Sequence, residues 1–136
     1  MESETRVAIR GATDIVEARQ RGRALAADLG FDGSDLTVIA TAISEIARNI
    51  VVHAKEGEVL VSPANHGSKR GILIVACDEG PGIADIERAM QYGYSTNSGL
   101  GVGLPGAKWL MDEFEIHSRV GKGTRITMRK WLRQLK

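Results

Sequence analysis

The sequence predicts an α+β fold, a two-layer α/β sandwich with a mixed, mostly antiparallel sheet and helices on one of its faces. Three observations support this fold class. Apolar residues between positions 34 and 54 recur every three or four residues, as in an amphipathic helix. The segment 71–77 is apolar throughout, which is typical of a central strand. Two pairs of strand-like segments are each joined by a short polar or glycine-containing connection, as in hairpins.

The first half of the chain is expected to hold one strand and two helices. Residues 5–10 alternate apolar and polar side chains, which predicts an edge strand. A helix is expected over residues 13–29 and a longer one over residues 34–54. Thr13 and Ser34 are the expected N-caps, because their hydroxyls can accept a hydrogen bond from the first turn.

The second half is expected to alternate strands with two shorter helices. In chain order the expected elements are strands over 58–62 and 71–77, a short helix over 85–90, a polar loop over 92–101, a helix over 102–112 and strands over 113–119 and 124–131. Residues 1–136 are interpreted as a single domain, because a chain of 136 residues suits one compact core.

The composition indicates a globular protein without a bulk preference for nucleic acid or membrane. Hydrophobic residues make up 43% and charged residues 26%, and the formal net charge is +1. No apolar run approaches the roughly 20 residues that span a bilayer, and the start lacks the layout of a secretory signal. The single cysteine, Cys77, excludes an internal disulfide and fits a reducing cytoplasm. Its place after an apolar strand predicts inert packing in the core.

Glu45 and Asn49 lie one helical turn apart and therefore share a face of the second predicted helix. Nucleotide-bound Mg²⁺ needs only one or two protein oxygens, and an Asn side-chain carbonyl can supply one. A carboxylate one turn away can orient or deprotonate an attacking hydroxyl. The alternative is that both are solvated residues of an amphipathic helix, and this pair alone favours the alternative.

Asp78 follows the predicted central strand, where ligand-facing side chains emerge in open sheets. Gly80 and Gly82 leave the backbone free to approach a flat ring closely. A buried carboxylate here can accept a hydrogen bond from the exocyclic amino group of adenine. A tight turn in which Asp78 caps a helix near Ala84 explains these residues at least as well.

A glycine-rich segment, residues 99–103, opens the helix predicted over 102–112. Free N–H groups and the positive end of a helix dipole suit a polyphosphate. The segment follows a polar loop, unlike a Rossmann fingerprint, and it lacks the Gly-Lys-Ser/Thr of a Walker loop. A flexible connector explains it about as well.

Taken in order, these motifs resemble the Bergerat (GHKL) ATP-binding fold: Glu45…Asn49…His53, Asp78-x-Gly-x-Gly82, Gly99-x-Gly-x-Gly103 and Gly123-Thr124. The resemblance covers residues 34–131. Within that superfamily the chain is similar to the anti-sigma-factor serine/threonine kinases, and most to stressosome switch kinases of the RsbT type. The similarity lies in the run over residues 45–54 and in the segments 94–108 and 110–114.

The resemblance implies a protein serine/threonine kinase with ATP and Mg²⁺ as cofactors. It implies Glu45 as the general base and Asn49 as the Mg²⁺ ligand. The other implied nucleotide-binding residues are Asp78 at the adenine amino group, Gly80, Gly82 and Thr124 around the base, and Gly101 and Gly103 at the phosphates. The implied substrates are STAS-domain scaffold or antagonist proteins of a cytoplasmic stress-signalling switch. On release, such a kinase activates a PP2C-type phosphatase.

Two other functions stay open on the sequence. One is a non-catalytic, nucleotide-gated interaction module that controls a phosphatase or a sigma factor, with Tyr92 or Tyr94 as an interface anchor. The other is an orphan histidine-kinase catalytic domain, whose product would be an acid-labile phosphate on a partner. Acid-stable phosphate on a hydroxyl of a partner would favour the serine/threonine kinase over both of these alternatives.

Overall fold

The computed structural model of the protein describes residues 4–54, 56–81 and 103–133. Its elements are β1 (Thr5–Ile9), α1 (Ala12–Leu29), α2 (Gly33–His53), β2 (Gly57–His66), β3 (Lys69–Asp78), α3 (Gly103–Leu110), β4 (Glu113–Arg119) and β5 (Gly123–Trp131). The strands form one sheet in the order β1-β2-β3-β5-β4. The predicted α+β class, the edge position of β1 and the central position of β3 are therefore confirmed.

Every strand pair in the described ranges is antiparallel. The parallel pairing that a mixed sheet would need is not present there, so this detail of the prediction is corrected. The two hairpins explain the difference. β2 and β3 are joined by a turn at Gly67 and Ser68, and β4 and β5 by a turn over residues 120–122, and tight turns join antiparallel neighbours.

The helices cover one face of the sheet and bury its alternate side chains. The strand residues buried beneath the helices are Val7, Ile9, Val59, Val61, Ile72, Ile74, Ala76, Ile126 and Met128. From above, α2 contributes Ile39, Ile43, Ile46 and Ile50, all fully buried. This layer of branched apolar side chains is the core, and it fixes α2 over the middle of the sheet.

α2 combines length with an apolar composition. Its 21 residues include an 18-residue window with a mean hydropathy of 1.3, which meets the length and composition of a membrane span. Glu45 and Arg48 lie inside this helix, so it is not an uninterrupted apolar run, and the core helix of a soluble protein meets the same criterion. The helix packs against α1, α3 and the sheet, and contact on so many sides explains its apolar composition.

Both helix starts differ from the predicted caps. α1 begins at Ala12 and α2 at Gly33, and neither has a side-chain cap hydrogen bond. Thr13 and Ser34 therefore lie inside the first turns and are not N-caps. Near the start of α1, the Asp14 carboxylate accepts a 2.8 Å hydrogen bond from the backbone N–H of Arg10. This bond anchors the strand-to-helix connection without a hydroxyl cap.

The opposite face of the sheet is not covered by a described helix. Cys77 lies on this open face and is half-buried, so the prediction that it packs in the core was wrong. The uninterrupted apolar run of β3 hid the alternation between its two faces. Burial raises the pKa of the Cys77 thiol, outweighing the opposing effect of the nearby Arg125 charge. A neutral thiol is a poor nucleophile, in agreement with the expected inertness.

Candidate functional site

Four residues form a row across one end of the sheet. Gly57 on β2 pairs with Asp78 on β3, Asp78 pairs with Thr124 on β5, and Thr124 pairs with Ser118 on β4. Directly opposed residues of antiparallel strands point to the same face. The three side chains of the row therefore lie together on the face that the helices cover. The strand register thus places Ser118, which was not predicted, beside two predicted residues, Asp78 and Thr124.

The Asp78 carboxylate is held by backbone N–H groups on two sides. Its Oδ1 atom accepts hydrogen bonds from Gly80 at 2.9 Å and from Thr124 at 3.3 Å. Among residues 4–54, 56–81 and 103–133, no donor bonds its Oδ2 atom. The side chain is half-buried, so one oxygen orients the group and, among the described residues, the other is left to accept a hydrogen bond. This arrangement suits a fixed hydrogen bond to an amino group of a ligand.

Three glycines let other backbone segments approach Asp78 closely. A Cβ atom at Gly123 would overlap the carbonyl oxygen of Asp78, and one at Gly57 would overlap the carbonyl oxygen of Cys77. At Gly80 it would lie 2.6 Å from the Cβ of Ala54, where α2 ends. Gly80 was predicted at this site, whereas Gly57 was not, because its only signal is a glycine at the start of a strand.

Glu45 lies on α2 and is only 7% exposed. Its Oε1 atom accepts a 3.0 Å hydrogen bond from the backbone N–H of Gly103, the first residue of α3. Gly103 has a φ of +70°, a conformation that favours glycine. The helix start that was predicted to face a phosphate therefore also fixes the predicted base. This link joins residues 58 positions apart in the chain.

The rest of α2 connects Glu45 to the Asp78 row. Asn49 is half-buried one turn further along, and Ile50 and Ala54 pack against the backbone at Gly57 and Gly80. At 1.5 Å per residue, the axis from Glu45 to Ala54 measures about 13 Å. An extended nucleotide has this order of length, so one helix can flank both its base and its phosphates. His53 and Lys108 are exposed and are not part of this alignment.

Part of the predicted site lies outside the described residues. Gly82 and Gly101 are there, as are the predicted helix over 85–90, the loop over 92–101 and both tyrosines. Within the described ranges, no group of three or more His, Cys, Asp or Glu side chains could hold a metal ion. Mg²⁺ that is bound to a nucleotide takes most of its ligands from phosphate oxygens and water.

Comparison with known proteins identifies the family. Residues 11–130 match the histidine kinase-like ATPase domain. The serine/threonine-protein kinase RsbT of Bacillus subtilis (strain 168) is 49% identical over 133 residues, which cover 98% of this chain and 100% of that protein. An anti-sigma F factor of Thermoanaerobacter sp. (strain X514) is 35% identical over 119 residues, covering 85% of this chain and 83% of that protein.

A solved structure shares the fold. The crystal structure of the RsbU and RsbW domains of a Mycobacterium tuberculosis protein matches with a TM-score of 0.65 and 23% identity, over 98% of this chain. The chain spans 33% of that longer protein, and at this identity the likeness concerns the fold alone. Together with the sequence relatives, these findings confirm the resemblance described above. The chain belongs to the family of histidine kinase-like ATPase domains, in its serine/threonine-protein kinase branch.

Proposed function

We propose that this chain transfers the γ-phosphoryl group of ATP to a serine or threonine hydroxyl of a STAS-domain protein in a stress-signalling partner switch. One observation carries the proposal most directly. The Glu45 carboxylate is buried, and the first N–H of α3 holds it on the same helix that ends against the Asp78 row. An acid placed between a helix start and a base-binding strand end is suited to phosphoryl transfer.

Asp78 would bind the adenine base. Its Oδ1 atom is already oriented by two backbone N–H groups, so Oδ2 can accept a hydrogen bond from the 6-amino group. Gly80, Gly82 and Thr124 would complete the base pocket. The close packing of Gly80 on Ala54 supports this role, because a side chain at that position would push the turn away from α2.

The phosphates would lie at the start of α3, with Gly101 and Gly103 beside them. Backbone N–H groups at a helix start bind anions well. Asn49 would supply the protein oxygen to Mg²⁺, since its amide is a hard ligand one turn from Glu45 and half-buried. The ion would neutralise phosphate charge during transfer. Glu45 and Asn49 would thus act on opposite parts of one reaction, the attacking hydroxyl and the bound phosphates.

Glu45 would act as the general base. The Gly103 N–H fixes its Oε1 atom, and no described residue donates to Oε2. As the substrate hydroxyl oxygen attacks the γ-phosphorus, its proton passes to the carboxylate, the bond to the β-phosphate oxygen breaks and ADP leaves. Burial of the carboxylate also keeps water from competing with the hydroxyl.

The partner roles rest on the family resemblance. We propose them for the whole chain, acting as one domain in the cytoplasm. The substrates would be STAS-domain scaffold or antagonist proteins. After release from them, the kinase would bind and activate a PP2C-type phosphatase. The full-length alignment with a serine/threonine-protein kinase supports this assignment, because it leaves no part of that relative unmatched.

Phosphotransfer from labelled ATP to a STAS-domain protein tests the proposal. We expect label on a serine or threonine that survives acid treatment and is released by alkali. Acid-labile label would indicate transfer to histidine and would contradict it. If ATP binds but no label appears on any partner, the nucleotide-gated interaction module becomes the better account.

A further inference from the structure

The hydroxyl of Ser118, on β4, contacts two oxygen atoms of β5. Its Oγ atom lies 3.1 Å from the carbonyl oxygen of Gly123 and 2.8 Å from Oγ1 of Thr124. A carbonyl has no hydrogen to give, so Ser118 is the donor to Gly123. Because a serine hydroxyl carries a single hydrogen, the shorter contact takes its hydrogen from Thr124. With both contacts taken as hydrogen bonds, the Thr124 hydroxyl donates to Ser118.

This assignment fixes what Thr124 offers to a ligand. With its only hydrogen turned toward Ser118, Oγ1 of Thr124 presents lone pairs alone. Thr124 is 7% exposed and stands directly opposite Asp78 in the sheet. An acceptor hydroxyl and an acceptor carboxylate thus lie side by side at the strand ends. A group that meets both favourably must carry two hydrogens.

We propose that Ser118 is a positioning residue that sets the base specificity of the nucleotide site. By orienting the Thr124 hydrogen away from the base, it makes Thr124 a second acceptor for the 6-amino group of adenine. The 6-oxo group of hypoxanthine or guanine meets two acceptors there and finds no donor, and such unpaired buried groups give strong discrimination. The inference rests on the proposed function and deepens it.

Binding of ADP and IDP to Ser118→Ala tests the inference, because IDP carries a 6-oxo group on an otherwise similar base. Without Ser118, the Thr124 hydrogen is released and can turn to the 6-oxo group. We expect the ratio of the IDP Kd to the ADP Kd to fall by roughly three- to tenfold, the worth of one hydrogen bond. A merely structural role would weaken both nucleotides alike and leave the ratio unchanged.

Two matched variants control the experiment. Ser118→Thr keeps the hydroxyl on a β-strand and should keep the wild-type ratio. Ser62→Ala removes a serine hydroxyl from the open face of the sheet and should also keep it. If Ser118→Ala does not fold, Ser118→Cys replaces it, because a thiol is a weaker partner that should lower the ratio in the same direction.

The outcomes separate this inference from the function on which it rests. A wild-type chain that prefers ADP, with a ratio that is unchanged or higher in Ser118→Ala, overturns the role of Ser118 alone. A wild-type chain that binds neither nucleotide overturns the proposed function together with this inference. A lower ratio in Ser118→Ala, with both control variants at the wild-type value, supports it.

Discussion

Asp78 is the residue on which we expect nucleotide recognition to depend most strongly. In Asp78→Asn, Oδ1 can still accept from Gly80 and Thr124, so the turn should keep its shape. An amide donor replaces Oδ2 and would oppose the donor group of adenine in the proposed complex. We expect ADP binding to weaken by about 1.5–3 kcal/mol, roughly 10- to 150-fold, as measured by calorimetry.

The adjacent Glu79 provides the control for this substitution. It is exposed, so Glu79→Gln removes the same charge one residue away from the proposed contact. ADP affinity in this variant should stay near the wild-type value. Equal losses in the two variants would mean that local charge, and not a contact to the base, determines binding.

At the residue scale, sequence motifs singled out Glu45, Asn49 and Asp78, the family resemblance added Thr124, and their roles stay predictions. Helical spacing explains the first pair, and the glycine pattern explains the turn after β3. The hydrogen bond from Gly103 to Glu45 was not predictable, since it depends on how α3 docks on α2. Ser118 was missed for a similar reason, because only the strand register places it beside Thr124.

At the scale of elements, Gly121 in the β4–β5 turn and Gly123 at the start of β5 allow the effect of backbone strain to be separated from that of close contact. Gly121 and Gly123 have φ values of +81° and +102°, so alanine is strained at both positions. A Cβ at Gly121 meets nothing within 4 Å, whereas at Gly123 it overlaps the backbone of Asp78. Comparing alanine at these two positions therefore isolates the effect of the close packing of β5 against Asp78, behind the proposed base site.

We expect Gly121→Ala to lower the free energy of unfolding by about 1–2 kcal/mol through backbone strain alone. Gly123→Ala should lower it by a further 1–3 kcal/mol, roughly the cost of overpacking. It should also weaken ADP binding, because β5 must move away from Asp78. Urea denaturation measures the two free energies. Similar values for both variants would argue against close packing as the reason for Gly123.

The elements themselves were predictable where periodicity was strong. The alternation in β4 and β5 and the three- and four-residue spacing in α2 predicted them to within a few residues. The helix starts were less predictable, since Asp32 and Ser34 can both cap a helix and stand two residues apart. α2 starts after Asp32 without a side-chain cap hydrogen bond, and helix boundaries of this kind vary by one or two residues.

At the scale of the whole molecule, stability depends on the layer between α2 and the sheet. Ile43 is fully buried there, and a Cβ at Gly22 of α1 would overlap its side chain. Ile43→Ala should lower the free energy of unfolding by about 2–5 kcal/mol. Val52 on the same helix is 44% exposed, and Val52→Ala should change it by less than about 0.5 kcal/mol. Urea denaturation measures both changes. Equal losses in the free energy of unfolding for the two variants would contradict this account.

The fold class was predictable because apolar residues recur in the sequence with the two-residue period of strands and the 3.6-residue period of helices. Helices on one face only were expected as well, but the side chains of β3 that lie on the open face were not predictable, because β3 is apolar on both of its sides. The same difficulty applies to α2, whose apolar composition satisfies a membrane criterion although the helix packs on three elements. The amino-acid composition of a helix or strand indicates how much of its surface is buried, but not which other element buries it.

Single-turnover phosphotransfer by Glu45→Gln, with ATP affinity measured on the same sample, tests the assignment of the catalytic site most directly. The glutamine carbonyl can still accept from Gly103, so ATP should bind at least as tightly as in the wild type. Transfer to the STAS-domain hydroxyl should fall by roughly 100-fold or more, because no base remains. The exposed Glu17→Gln on α1 should transfer at the wild-type rate. Transfer by Glu45→Gln at the wild-type rate would contradict the assignment of Glu45 as the base.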